Sequence, residues 1–238
     1  MHVPDGFLDA PTSVATGAVA VAGVAVALRK AREELDDRTA PMAGLVAAFV
    51  FAGQMMNFPV GAGTSGHLLG GALAAVLVGP WTGALCISVV LGVQALFMAD
   101  GGITALGSNI VLMALVGCFG GYLVFRAVLA VLPRRFRTRA AVAPAAAIGA
   151  FLSVPLAATV FTGLFAVGGT ADVDLSAVLT AMLGWHTVIG IGEAVLTGLV
   201  VGAVVASRPD LVHGVAVVGR ADRADRRGRV ETTPEAVA

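Results

Sequence analysis

Charged residues are scarce in this 238-residue chain. Only 13% of the residues are Asp, Glu, Lys or Arg, whereas 58% are hydrophobic and the mean hydropathy is +0.91. A typical soluble domain carries about twice that share of charge, so the composition excludes an ordinary soluble protein. The formal net charge is zero, which gives no basic bias toward a nucleic-acid partner. The composition therefore predicts an integral membrane protein that does not bind nucleic acid.

Other absences exclude particular chemistries. The two cysteines, Cys86 and Cys118, lie in apolar stretches without CxxC spacing, and we interpret them as small core residues. The sequence contains neither a GxxxxGK[ST] phosphate-binding loop nor the HExxH pair of a zinc metalloprotease. The chain is therefore not expected to hydrolyse ATP by itself, and energy for any transport would come from partner subunits or an ion gradient.

Long apolar runs fill most of the chain. A membrane-spanning helix needs about 20 consecutive, mostly apolar residues. Seven candidate spans cover residues 12–29, 41–59, 66–79, 81–98, 105–132, 141–167 and 179–206. The third is short and ends at Gly79-Pro80, where proline favours a tight turn between helices. Small residues at helical spacing, Gly117 with Gly121 and Gly198 with Gly202, predict closely packed helices. The predicted fold class is an all-α integral membrane protein, a seven transmembrane helix bundle (1–206) followed by a charged, disordered cytoplasmic tail (207–238).

The basic residues indicate how the spans are oriented, because cytoplasmic loops are enriched in Lys and Arg. Fourteen of the fifteen fall in three clusters: Arg29, Lys30, Arg32 and Arg38; Arg134, Arg135, Arg137 and Arg139; Arg208, Arg220, Arg223, Arg226, Arg227 and Arg229. Seven spans with the N-terminus outside put all three clusters in the cytoplasm. The remaining residue, Arg126, lies near the inner end of the fifth span, from which its side chain can snorkel.

The opening stretch MHVPDGFLD lacks the positive segment and apolar run of a signal peptide, so we expect the mature chain to begin at Met1. The predicted topology places Met1 and His2 outside, on the same side as His67 in the loop GTSGHLLG. The terminal amine, the deprotonated amide and the ring of His2 can bind a metal in fused five- and six-membered rings, and His67 can complete a square. Four nitrogens in a plane suit Ni(II), Cu(II) or low-spin Co(II). Alternatively, His2 is a solvated end residue and His67 a polar residue at a helix start.

Further polar residues are candidates for supporting roles. His186 and Glu193 lie seven residues apart on one face of the seventh span, where ionisable side chains are costly. One interpretation is a structural polar pair between helices. The other is a functional role, either in supporting the metal ligands or as a step on an ion path. Ser65 is interpreted first as a helix N-cap. His213 follows the seventh span and receives no role.

Four stretches carry a resemblance to a known family: MHVPDGFL, NFPVGAGTSGHLLGG, ADGGITALGSN and GWHTVIGIGEAVLTG. They resemble the substrate-binding membrane subunit (S component) of cobalt and nickel energy-coupling factor (ECF) transporters, the CbiM/NikM family, from Met1 to about Val205. The resemblance implies a seven-helix fold with the N-terminus inserted into the bundle. It also implies Co(II) or Ni(II) as transported ligand, held by the Met1 amine, the amide and ring of His2 and the ring of His67, with no catalytic residue and no cofactor.

The same resemblance implies partners and a location. The partners are a transmembrane coupling subunit, two cytoplasmic ATPase subunits and often a small accessory membrane subunit. The location is the bacterial or archaeal cell (inner) membrane, and the implied role is that of an ABC-type permease that supplies cobalt for cobalamin biosynthesis. The arginine-rich tail has no counterpart in the family pattern. We expect Asn57, and Ser108 or Asn109, to hold the N-terminal segment or orient His67; ordinary hydrogen bonding at helix ends is the alternative.

Three functions remain open at this point. The first is the specificity subunit of an ATP-driven importer that captures Co(II) or Ni(II) outside. The second is a gradient-driven secondary transporter of a divalent metal in which His186 and Glu193 relay protons. The third is a metal-dependent membrane enzyme, which is disfavoured because four nitrogens leave no open equatorial position for a substrate.

Overall fold

The computed structural model describes residues 2–37, 39–61 and 64–219. The helices are α1 (Ala10–Glu34), α2 (Ala40–Gln54), α3 (Gly71–Val78), α4 (Pro80–Phe97), α5 (Leu106–Val131), α6 (Val142–Gly168) and α7 (Leu175–Ser207). Two short antiparallel strands, β1 (Phe58–Gly61) and β2 (Thr64–Gly66), form a hairpin between α2 and α3. Within α5, the stretch Ile110–Gly120 is π-helical. Short 3₁₀ turns, Arg134–Phe136, Arg139–Ala141 and Pro209–Leu211, and the helical residues 213–219 complete the described chain.

Among the described residues, five helices are long and apolar enough to cross a membrane: α1, α4, α5, α6 and α7, with the span at α6 counted from Arg139. Helix α2 is apolar but has only 15 residues, fewer than the roughly 20 that a membrane span needs. Helix α3 has eight, a length of about 12 Å. The predicted spans 41–59 and 66–79 are therefore too long as helices, because one ends at Gln54 and the other begins at Gly71. The intervening residues contain Pro59 and four glycines, which disfavour a continuous helix.

The helices run between two distinct ends of the molecule. We call the end that holds His2, His67 and Asp100 the site end. The opposite end is called the basic end; it holds the last residues of α1, α3 and α5 and the first residues of α4 and α6. A hydrogen bond from Gln54 to Leu69 places the end of α2 at the site end, and bonds from Trp81 and Thr82 to Glu34 place the start of α4 at the basic end.

Helix α3 is the centre of the bundle, and all eight of its residues are buried. It contacts α5 through backbone without intervening side chains: a Cβ on Gly71 would lie 2.7 Å from the carbonyl carbon of Gly117, and one on Gly121 would lie 2.5 Å from Cβ of Ala72. Close helix packing at Gly117 and Gly121 is thereby confirmed. Since lipid gives no hydrophobic drive for helix association, this close approach supplies the contact area between the two helices.

The turn between α3 and α4 confirms the predicted break at Gly79-Pro80. Gly79 has a φ of 98°, in the region that favours glycine, and Pro80 is the first residue of α4. The carboxylate of Glu34 accepts hydrogen bonds from the backbone N–H groups of Trp81 at 3.2 Å and Thr82 at 2.7 Å. Glu34 thus caps the first turn of α4, where backbone N–H groups otherwise have no partner.

The bundle domain continues beyond the predicted boundary at residue 206. Residues 208–219, which the sequence predicts to belong to the tail, fold back under the basic end. Val212 and Val218 are buried, and a Cβ on Gly214 would lie 3.0 Å from Val76 and 3.1 Å from Phe125. The predicted tail is therefore wrong for these residues, because their small and apolar side chains close the core. Residues 220–238 lie outside the described residues.

The contact between α3 and α5 yields a first prediction. A Gly71→Ala substitution is expected to lower the free energy of unfolding by about 1–3 kcal/mol, because the new Cβ meets backbone that cannot rotate away. Thermal unfolding in detergent measures the effect. Gly92→Ala in α4 is the matched control, since nothing lies within 4 Å of that Cβ, and it is expected to be neutral or stabilising. Equal behaviour of the two variants would contradict the packing account.

Candidate metal centre

The N-terminal segment, residues 2–9, is inserted into the site end. His2 is 4% exposed and Val3 fully buried, and Phe7 and Leu8 are also buried. An extended segment in an apolar core must find partners for its backbone groups. Asn109 supplies two of them: its Oδ1 accepts from the N–H of Val3 at 2.7 Å, and its Nδ2 donates to the carbonyl of Val3 at 3.1 Å.

Two loops hold the rest of the segment. Asp5 accepts from the backbone N–H of Thr104 at 2.7 Å and from its hydroxyl at 2.6 Å, and these bonds lower the pKa of Asp5. A Cβ on Gly102 would lie 2.4 Å from the backbone nitrogen of Asp5, so only glycine allows this approach. On the other side, the N–H of Asp9 donates to the carbonyl of Gly168 at 2.7 Å. The segment is therefore fixed along its length.

His2, the first residue of this segment, lies next to His67. Their rings stack with centroids 4.3 Å apart and planes inclined by 27°. His67 is fully buried and lies four residues before the start of α3, so it is not the polar residue at a helix start that was considered as an alternative. Neither is His2 a solvated end residue.

The hydrogen bonds of His67 define where its free lone pair lies. Nδ1 is 2.7 Å from the carbonyl oxygen of Leu68, and a carbonyl can only accept, so Nδ1 carries the proton of the neutral ring. Nε2 is then a buried lone pair, and it has no hydrogen-bond partner among the described residues. His186 repeats the pattern, with Nδ1 2.8 Å from the carbonyl of Met182 and Nε2 unpartnered. A neutral imidazole with a free nitrogen is the form that binds transition metals.

Two buried side chains hold the backbone that follows His67. The carboxyl oxygens of Glu193 accept from the N–H groups of Leu69 at 2.8 Å and Gly70 at 2.6 Å. Gln54 donates through Nε2 to the carbonyl of Leu69 at 2.7 Å. These three bonds fix the segment between β2 and α3 and, with it, the His67 ring.

Asp100 contacts the other ring. Its Oδ1 lies 3.1 Å from Nδ1 of His2, and its Oδ2 accepts from the Asn57 amide at 2.8 Å. Burial raises the pKa of Asp100, but the contacts with His2 and Asn57 outweigh it, so the pKa lies below the ordinary value. Burial lowers the pKa of His2, and Asp100 and the neighbouring Gln94 side chain oppose this in part. Near pH 7 the site therefore combines a neutral His2 ring with an ionised Asp100.

The remaining candidates have different surroundings. Met1 lies outside the described residues. Ser108 bonds to Thr16 of α1 at 2.7 Å, and in the described structure it has no hydrogen bond to the N-terminal segment or to His67. The backbone of Ser65 lies in β2, and the N-cap of α3 is Gly70, so the N-cap interpretation of Ser65 is wrong. His186 and Glu193 do not bond to each other: His186 bonds within its own helix, whereas Glu193 bonds to the loop.

Sequence reasoning missed three residues of the site: Gln54, Gln94 and the role of Asp100. Gln54 and Gln94 are fully buried and are the only glutamines of the chain. A glutamine near the end of an apolar run is a signal that could have identified both, because a buried amide requires a polar partner. No feature of the sequence indicated that Asp100 contacts His2.

Side chains alone do not complete a metal site. No group of three or more His, Cys, Asp or Glu residues able to hold a metal ion occurs in the part of the chain that the structure describes. The arrangement offers two imidazoles, buried and held in place beside the N-terminal backbone.

Comparison with known proteins identifies relatives of the whole bundle. Residues 2–211 match the CbiM family, described as "Cobalt uptake substrate-specific transmembrane region". A "Putative fused nickel transport protein NikMN" of Archaeoglobus fulgidus is 38% identical over 92% of this chain and 70% of its own length. A "Cobalt transport protein CbiM" of Sorangium cellulosum is 44% identical over 52% of this chain and 57% of its own length.

A solved structure agrees with the fold. The crystal structure of a truncated transition metal transporter superposes with a TM-score of 0.78 at 32% sequence identity, covering 87% of this chain and 99% of the other. The similarity therefore extends over nearly the whole described bundle and is not confined to one helix pair.

The role of Glu193 can be tested by a conservative change. In a Glu193→Gln variant, one of the two N–H groups at Leu69 and Gly70 faces an amide donor and loses its partner, which costs about 1–3 kcal/mol of stability. Thermal unfolding in detergent measures the loss. Glu33→Gln is the control, because Glu33 is exposed and its ion pair with Lys30 contributes little. A Glu193→Gln variant as stable as the control would show that the hydrogen bonds from Leu69 and Gly70 to Glu193 do not stabilise the fold.

Proposed function

Since the chain belongs to the CbiM family of cobalt-uptake transmembrane proteins, we propose that it is the specificity subunit of an ATP-driven importer of the ECF type. It is a multi-pass membrane protein and a transmembrane component of cobalt or nickel uptake. In the proposed role it captures Co(II) or Ni(II) from outside and performs no covalent chemistry. ATP is hydrolysed by partner subunits.

The proposed ligands are four nitrogens: the Met1 amine, the His2 amide, Nδ1 of His2 and Nε2 of His67. The six-membered chelate ring fixes the choice of Nδ1, because it runs from the His2 amide nitrogen through Cα, Cβ and Cγ to that atom. The observation that carries the proposal is the buried, unpartnered Nε2 of His67 beside the His2 ring. A buried imidazole nitrogen without a partner is costly unless a ligand occupies it.

Binding through Nδ1 of His2 has a consequence for Asp100. That carboxylate lies 3.1 Å from the same nitrogen, so the metal and Asp100 compete for it. The divalent cation, the neutral amine and the deprotonated amide together carry one positive charge, which the carboxylate of Asp100 balances. Asp100 remains bonded to Asn57. Asp100 thus attracts the cation to the site and releases Nδ1 when the metal binds.

Position within the segment decides whether the chelate forms. Val3 is held by Asn109 and Gly102, so the amide of His2 has a fixed location one residue away. A square of four nitrogens suits Ni(II) and low-spin Co(II) and disfavours Zn(II), which prefers a tetrahedron. Selection therefore comes from geometry that the fold imposes.

The proposed topology has seven crossings, with the site end outside and the basic end in the cytoplasm. The described arginines between helices, Arg134, Arg135, Arg137 and Arg139, lie at the basic end, and Asp5, Asp9 and Asp100 lie at the site end. This distribution follows the enrichment of positive charge in cytoplasmic loops. A transmembrane coupling subunit, two ATPases and a small accessory membrane subunit are the proposed partners in the cell membrane.

The alternative of a proton-coupled carrier has less support. A relay through His186 and Glu193 requires groups free to pass a proton, whereas both carboxyl oxygens of Glu193 are engaged by backbone N–H groups of the His67 segment. Metal uptake by vesicles that contain this chain without any ATPase partner would favour the carrier.

The terminal chelate predicts a strong effect of blocking the N-terminal amine. A formyl group retained on Met1 removes that nitrogen as a ligand and is expected to weaken Ni(II) or Co(II) binding at least a hundredfold. Equilibrium dialysis of purified protein with a native N-terminus measures the affinity. His67→Gln should weaken binding comparably, and His213→Gln, at the basic end, should leave it unchanged. A formylated chain that binds like the unblocked chain would refute the terminal chelate.

Metal binding is also expected to strengthen with rising pH. The His2 ring is already neutral near pH 7 because burial lowers its pKa, so protons released on binding come from the amine, with an ordinary pKa near 7.7–8.0, and from the amide. Affinity should rise about 50–100-fold from pH 6.5 to pH 7.5. Competition titrations against a chelator of known affinity measure it. A change below about tenfold would indicate that the terminal nitrogens do not bind.

A further inference from the structure

A groove at the basic end combines positive charge with apolar walls. It has a volume of about 650 Å³ and lies between the last turns of α5 and the helical residues 213–219. Of the described residues, Tyr122, Arg126 and Arg137 form its polar lining, and the described apolar lining is aliphatic. The described lining contains no acidic residue. The metal site lies at the opposite end of the bundle, so the groove has no part in metal capture.

Arg137 is held in a fixed position at the groove. Beyond the end of α5 the chain turns back, and the guanidinium donates through Nε to the carbonyl of Leu132 at 2.9 Å and through Nη2 to the carbonyl of Ala130. These are carbonyls at the helix C-terminus, where a cation is favourable. A guanidinium has five N–H donors, so donors remain for a ligand.

Arg126 is a second guanidinium that has no anionic partner in the described part of the chain. It lies five residues before the end of α5, about 7.5 Å along the helix, within the apolar span. Its Cζ is 6.0 Å from the centre of the Tyr122 ring, and it forms no hydrogen bond or ion pair with any of the described residues. Arginine stays charged and is costly within a membrane unless an anion or water reaches it.

The ligand that matches this groove is a phosphate with an apolar body. Two guanidinium groups bind phosphate oxygens through paired hydrogen bonds. Leu129, Val217 and Val218 provide aliphatic contacts beside the charges, as an acyl chain requires. Basic pockets between membrane helices bind the headgroups of anionic lipids, and a net negative lipid is favoured because the two guanidinium groups repel a cationic headgroup.

We propose that the groove lined by Tyr122, Arg126, Arg137 and Val217 is a specific site for one anionic phospholipid in the leaflet at the basic end. The phosphate lies between the two guanidinium groups, and an acyl chain lies along the aliphatic wall. A lipid bound there joins α5 to residues 213–219 and so stabilises the segment that closes the core. The site is independent of metal binding.

Native mass spectrometry of the purified full chain tests the proposal. Titration with phosphatidylglycerol should give one retained lipid, with phosphatidylcholine bound at least tenfold more weakly. Arg126→Gln should weaken phosphatidylglycerol binding at least tenfold, and Arg126→Lys should recover part of it. Arg139→Gln is the matched control: it removes the same charge from an exposed position outside the groove and should bind lipid like the original chain.

Several outcomes would overturn the site. Equal lipid retention by Arg126→Gln and Arg139→Gln would mean diffuse attraction of basic residues. Displacement of the lipid by inorganic phosphate, with equal thermal stabilisation by phosphate alone, would identify a soluble anion as the ligand. Normal lipid binding by Arg126→Gln with loss of assembly with the coupling subunit would identify a protein partner. Unchanged Ni(II) binding by Arg126→Gln is the control that this variant is folded. Val217→Asp is a second test variant: it places a carboxylate in the groove and is expected to expel the lipid.

Discussion

Hydrogen bonding of non-helical backbone inside an apolar bundle is the constraint on which the site depends. Helices satisfy their own N–H and C=O groups, but the N-terminal segment and the residues after His67 are extended and cannot. Side chains and the backbone of neighbouring loops must therefore supply the partners. The chain has two asparagines and two glutamines, and all four lie at the site end: Asn109 bonds to Val3, Gln54 to Leu69, Asn57 to Asp100, and Gln94 lies beside His2.

The same constraint explains why the two imidazoles are poised for a ligand. Carboxamides and Glu193 satisfy the backbone around His2 and His67 but leave Nε2 of His67 without a partner. Buried ring nitrogens of His2, His67 and His186 have no hydrogen-bond partner among the described residues, which differs from ordinary core packing, where buried polar groups are paired. A loosely held terminus could not present its amine and amide at a fixed place. The hydrogen bonds between Val3 and Asn109 therefore matter as much as the ligands themselves.

Apolar periodicity predicted the helical scaffold well, because length and hydrophobicity are properties of contiguous residues. Each end of the five long helices lies within five residues of the predicted limits. The start of α3 was missed because Glu193, which is distant in sequence, holds residues 69 and 70 out of a helix. The end of α2 was missed because mostly apolar residues continue beyond Gln54 as far as Pro59. Residues 208–219 were missed because burial of Val212 and Gly214 depends on a cavity that only the assembled bundle forms.

The candidate site shows the same division. The ring of His2 and that of His67 could be paired from the sequence, because topology and chelate chemistry both placed them outside, and their stacking at 4.3 Å agrees with that placement. Whether Ser108 or Asn109 holds the terminus could not be decided, since adjacent residues on a helix point about 100° apart and only the position of α1 turns Ser108 toward Thr16. Asp100 required knowledge of the turn after α4, where Ala99 has a φ of 52° and so directs the next carboxylate toward His2. Contacts made by folding, rather than residue types, therefore decide which polar groups serve the metal and which serve the scaffold.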